Sequence, residues 1–161
     1  VRERALDIYA VVSEVHTASF DQGRRPVVRG QGVIDEDQLY HDNPEIRELL
    51  RTEFKATIIG FRQGLEINHY LPPRPPRIHG FVYPCTRSEV ETFTSRLDFL
   101  QTLLASPNRT ALDELIAATI RNASAAHSEQ RDFLIKAGKE VALLLANDIN
   151  RLNGVLRRIG R

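Results

Sequence analysis

With 161 residues, 42% hydrophobic and 27% charged, the chain has the composition of one soluble globular domain and is too apolar for intrinsic disorder. A formal net charge of +1 excludes a strong general attraction to nucleic acid or acidic membranes. The single cysteine, Cys85, excludes an internal disulfide, and no apolar run approaches the roughly 20 residues of a membrane-spanning helix.

The opening residues, VRERALDIYAVVSEV, lack the continuous apolar core of a signal peptide, so the expected compartment is the cytoplasm. The glycosylation triplets at Asn108 and Asn122 then have no secretory context. The absence of methionine points to a processed chain or a piece of a longer one.

The first half reads as strands. Residues 7–20 are β-branched and aromatic with partial alternation, residues 21–26 carry turn chemistry, and residues 27–34 resume strand character with Gly30 and Gly32 marking a bend. A polar connection follows with Asp35, Asp37, His41 and Asp42, all hard-metal ligand types. It lacks the glycine and terminal glutamate of a calcium loop, so no metal is expected there. Asn43 and Pro44 open a short helix over 43–50. Residues 54–61 form the clearest strand, 62–64 turn it, and 65–71 return.

The stretch YLPPRPPRIH over 70–79 holds four prolines. Pro72-x-x-Pro75-x-Arg77 fits the pattern that aromatic-lined grooves bind as polyproline II helix. Strand-like runs flank it on both sides, 78–84 being the second. The expected role is therefore a stiff strap over 71–77 that joins two strands, where proline removes no needed ladder donor.

At residue 86 the apolar period becomes 3.6. Thr86-x-x-Glu89 is a capping-box signature, and Val90, Phe93, Leu97, Leu100 and Leu104 make one stripe. Thr110-x-x-Asp113 resembles a second cap, followed by Leu112, Leu115, Ile116, Ile120 and Ala123. A third helix is expected from Ser128 to Ile159 on Val141, Leu145, Ile149, Leu152, Leu156 and Ile159, with Gly138 marking a close helix contact or a kink. The expected fold is α+β: a small β-barrel-like N-terminal half over 1–85, then a three-helix C-terminal half over 86–161.

Chemistry-bearing residues are few. Arg121 and His127 match Arg-x(4–6)-His, the signature of the HEPN family of helical ribonucleases, in which the histidine is the acid/base and the arginine steadies a phosphate. Composition alone produces about 1.8 such spacings in this chain. Cys85 precedes a helix N-terminus, a position that lowers thiol pKa, but no histidine is placed beside it and a small packed residue is expected. Arg151, Arg157 and Arg158 give the chain's end a basic face for phosphate contact, or simply a cationic helix C-terminus that suits the macrodipole. No Walker loop, glycine-rich nucleotide loop, zincin motif or cysteine pair occurs, so no cofactor is expected and no catalytic apparatus is evident.

Residues 54–104, with Ile58-Ile59-Gly60, the proline-rich exit Leu71 to Pro76 and Ile78 to Tyr83, resemble the N-terminal HAS-barrel region of HerA-type hexameric DNA-translocating ATPases. The resemblance implies a non-catalytic module for ring assembly and partner docking in a DNA-processing system, with the ATP chemistry done elsewhere. Its expected partners are copies of itself, a motor domain or a nuclease, with DNA reached through the assembly. Arg74 and Arg77 beside the strap are the expected docking residues. The alternatives are a HEPN-like ribonuclease using Arg121 and His127, and a helical oligomerisation domain built on Val141 to Ile159.

Overall fold

The computed structural model describes residues 6–19, 50–105 and 111–160. Outside them lie the expected strand over 27–34, the group Asp35, Asp37, His41 and Asp42, the Asn108 triplet, the Thr110 cap and all of the 43–50 helix except Leu50. The architecture is mixed α+β, a three-stranded antiparallel sheet followed, among the described residues, by five helices. The chain divides into two compact units, Val1–Val11 with Thr57–Arg161, and Val12–Ala56.

Strands β1 (Leu6–Ser19) and β2 (Leu50–Gln63) each run 14 residues. In the smaller unit, Lys55 Nζ lies 2.9 Å from Glu14 Oε2 and His16 Nε2 lies 3.0 Å from Glu53 Oε2. In the larger unit, Arg62 Nη2 donates to Asp7 Oδ2 at 2.7 Å. Residue numbers fall on one strand as they rise on the other, which is the antiparallel sense. These exposed pairs fix partners more than they stabilise, because water screens them.

Strand β3 (Glu66–Asn68) returns antiparallel to β2 in the register Phe61↔Asn68, Arg62↔Ile67 and Gln63↔Glu66. Its two-residue loop is Gly64-Leu65, and Gly64 at φ 67° supplies the left-handed conformation that such loops require. The sheet order is β1-β2-β3. Among the described residues it does not close into a barrel, and the strand expected over 78–84 does not form: residues 69–86 hold neither helix nor strand. Proline explains the departure. Every residue from 71 to 76 is a proline or precedes one, which keeps the backbone extended and removes four ladder donors. A turn then reverses the chain, with Gly80 N–H donating to Arg77 O at 3.0 Å and His79 at φ 62°.

Helix α1 (Arg87–Thr94) begins with the capping box, Glu89 N–H donating to Thr86 Oγ1 at 3.3 Å and Thr86 N–H to Glu89 Oε2 at 2.8 Å. It stops where a single longer helix was expected. Thr92, Thr94 and Ser95 turn their hydroxyls back onto the carbonyls of Ser88, Val90 and Thr92, a competition that loosens the helical ladder. Helix α2 (Phe99–Leu104) follows, and the apolar stripe runs unbroken through the interruption as Phe93, Leu97, Leu100 and Leu103.

Helix α3 (Leu112–Ser124) buries Leu112, Ile116, Ile120 and Ala123. The expected third helix is also two, α4 (Gln130–Leu144) and α5 (Ile149–Ile159). Asp148 causes the break: its side chain accepts the Arg151 N–H at 3.0 Å, so it caps a new helix instead of continuing the old one. The phase resets there. Val155 and Ile159 become the buried positions while Ile149 is 67% exposed. Gly138 sits at a close helix contact, where an added Cβ lies 3.6 Å from Leu156 Cδ2.

The core of the larger unit centres on Phe99, Leu100, Ile116, Ile120 and Val141, with Tyr9 of β1 and Ile59 of β2 in the same cluster. Gly60 makes that junction possible. A Cβ there would stand 2.3 Å from Asn68 O and 2.9 Å from Phe93 Cζ.

Candidate functional site

The proline-rich exit is anchored at its start and bare along its length. His69, directly after β3, has a side chain only 4% exposed, set 4.5 Å from the Phe93 ring and 5.7 Å from the Phe99 ring. Its Nε2 lies 3.0 Å from Phe93 O. A carbonyl only accepts, so Nε2 carries the proton of that bond, and Nδ1 is the other ring nitrogen. That Nδ1 is buried, has no hydrogen-bond partner, and lies 3.4 Å from Asp98 Oδ2, which also holds Arg96 at 2.8 Å. Burial pushes the His69 pKa down, against the opposing pull of the Phe93 carbonyl and the Asp98 carboxylate. Tyr70 completes the anchor with its ring edge-on to Phe61 at 5.3 Å.

From Pro73 to Ser88 every residue is exposed. Arg74 and Arg77, the expected docking residues, lie on this run. Beyond them Ile78, Phe81, Val82 and Tyr83 are 87%, 86%, 72% and 75% exposed. Cys85 is exposed too, not the packed residue expected from sequence. The desolvation its surroundings impose, and after it the Glu89 carboxylate, push its thiol up. The nearby helix start does not make it an activated nucleophile.

Arg121 and His127 have separate neighbours. Arg121 donates to Arg158 O at 2.5 Å and to Glu114 Oε1 at 2.9 Å. His127 Nε2 lies 2.8 Å from Thr94 Oγ1, whose own proton goes to Val90 O, so Nε2 is the donor. The imidazole stacks on Phe133 at 4.1 Å. With Arg87 Nε on Ala126 O and Lys136 Nζ on Ser95 O, it fastens α1 to the α3–α4 turn and to α4. His127 also borders an open recess of about 320 Å³ with Ser95, Glu129, Asp132 and Lys136, and Arg121 is not part of that wall.

The basic face of α5 is largely engaged by α3. Arg151 Nε donates to Asp113 Oδ1 at 2.6 Å, with both side chains about 30% exposed. Arg158 Nε lies 3.0 Å from Glu114 Oε2 and its Nη1 donates to Gly154 O. Arg157 is exposed. The Arg121 and Arg158 guanidiniums hold the Glu114 carboxyl below the usual range, Arg121 most strongly.

Sequence reading gave His69 no role, took Gly60 only as part of a strand motif, and took Asp113 only as a cap partner without Glu114. The acidic pair had a signal, being the first-turn acids that suit a helix N-terminus. His69 had none, because its burial depends on rings 24 and 30 residues away. No family model, curated protein or solved structure matches the chain.

Proposed function

We propose that this chain is a non-catalytic assembly and partner-docking module of a HerA-like DNA-processing ATPase system. The observation that carries the reading is the run from Pro73 to Ser88, exposed throughout, which sets Arg74, Arg77 and four large apolar side chains on the surface. Such a surface suits recognition: apolar side chains supply contact area and arginines supply orientation. In this reading the three strands belong to a small HAS-barrel-like half. The five described helices make up the helical half. The module works in the cytoplasm, and DNA is reached through the assembly, with Arg157 the most available of the α5 arginines.

The test is light scattering of the 161-residue chain mixed with a purified HerA-type ATPase ring, with and without its nuclease. Co-elution that is weakened by Arg77→Glu supports the reading. Two components that run separately at high micromolar concentration refute it.

A further inference from the structure

Residues 78–85, Ile-His-Gly-Phe-Val-Tyr-Pro-Cys, hold no Asp, Glu, Lys or Arg and are exposed from end to end. Seven of the 14 exposed large hydrophobics among the described residues fall between Leu65 and Tyr83. That concentration is unlike the scattered apolar residues of an ordinary surface, and it marks an interface. Phe81 and Tyr83 stand on one side of the extended chain with ring centroids 6.3 Å apart.

We propose that this segment is the seam along which a second copy of this chain packs, segment against segment across a two-fold axis. The inference rests on the assembly half of the reading above and names the partner and the surface. Area favours a second copy. Aromatic side chains bring roughly 150–250 Å² each. Ile78, Phe81, Val82 and Tyr83, with Tyr70 and Leu71 on the incoming chain, therefore offer on the order of the ~800 Å² that each partner contributes to a standard interface. Composition agrees, since a core rich in aromatics and free of charge is what distinguishes homodimer contacts from other surfaces. A charge-free strip also meets its own copy without like-charge repulsion, which suits an isologous contact. The prolines and the Arg77–Gly80 turn hold the segment away from β3, so it is presented outward before any partner arrives.

With the two-fold axis running along the segment, the two strips lie side by side in parallel and the two copies of Cys85 come together, and as the chain's one cysteine it reports that contact. The experiment compares the wild-type chain with Phe81→Ser and Tyr83→Ser by light scattering across a concentration series, and treats each with a short bis-maleimide. The expected result is an even-numbered assembly whose dissociation constant rises at least about 30-fold in either variant, with a Cys85-linked dimer that the variants lose. Among the described residues the Phe81 and Tyr83 rings touch each other and are otherwise mostly exposed, so circular dichroism should be unchanged in the variants. An assembly of unaltered mass in both variants, without the linked dimer, overturns the seam while leaving partner docking to its own test. A monomer at all concentrations overturns it as well, and binding to the ATPase ring then decides separately whether the docking reading survives.

Discussion

Gly60→Ala is the sharpest test of how the sheet meets the helices. The new Cβ would stand 2.3 Å from Asn68 O, 2.9 Å from Phe93 Cζ and 3.0 Å from Phe93 Cε2. Neither neighbour yields easily: Asn68 is held in register opposite Phe61, and the Phe93 ring is 3% exposed between Tyr9, His69 and Phe99. Overpacking of this kind costs about 1–3 kcal/mol, and displacing the Asn68 carbonyl adds about 1 kcal/mol of weakened hydrogen bonding. Replacing glycine inside a strand returns about 0.5–1 kcal/mol of backbone entropy. The net expectation is a loss of roughly 1–3.5 kcal/mol, a fall in Tm of about 2–14 °C for a chain of this size. Urea and thermal unfolding followed by circular dichroism measure it. A variant within about 0.5 kcal/mol of wild type would refute this account of the β2–β3–α1 junction.

Gly138→Ala should act in the opposite direction, stabilising by about 0.5–1 kcal/mol, because its Cβ meets Leu156 at an ordinary 3.6 Å and the helix gains propensity; a loss in urea unfolding would show the α4–α5 contact to be tighter than described. His127→Ala should cost about 1–2 kcal/mol through the lost Thr94 bond and Phe133 stacking, and RNA cleavage abolished by the same change would instead revive the nuclease reading. Because burial depresses the His69 pKa in the folded state, the unfolded chain takes up that proton first. The His69 contribution should be full above about pH 6.5 and decline as pH falls below it, until the folded histidine is itself protonated. Urea unfolding at pH 7.5 and 5.5 should show this slope in wild type and a flatter one in His69→Gln; equal slopes would reject it. A double-mutant cycle on Asp113 and Arg151 should give a coupling of about 0.5–1 kcal/mol, given the part exposure of both groups.

What could be read from sequence was what the chain decides locally. The Thr86–Glu89 box and the stripe of α3 depend on residues three and four apart, and both stand in the structure. The breaks at Ser95–Asp98 and Leu145–Asp148 were hidden for one reason. An apolar stripe counts faces, and the core face continues past an interruption as long as the next helix resumes against the same core. The hydroxyls of Thr92, Thr94 and Ser95, and the Asp148 carboxylate, were the available signals. Gly60 looked like one more strand residue, because its two constraints arrive from Asn68 and Phe93.

The missing strand over 78–84 teaches something different. Phe, Val and Tyr score as strand formers because they fit a pleated, half-buried surface, and that preference has no backbone origin independent of a partner. The segment therefore carries a pattern that the described part of this chain leaves unanswered, with Phe81 and Val82 mostly in water. Natural sequences tend toward agreement between local pattern and final environment. A stretch that departs from it through four large side chains, behind a backbone stiffened by four prolines, is the ground for the proposed seam. The failed strand expectation and the proposed seam thus start from one apolar pattern. The strand read there does not form, and the proposal places the partner of its apolar side chains on a second copy instead of within the sheet.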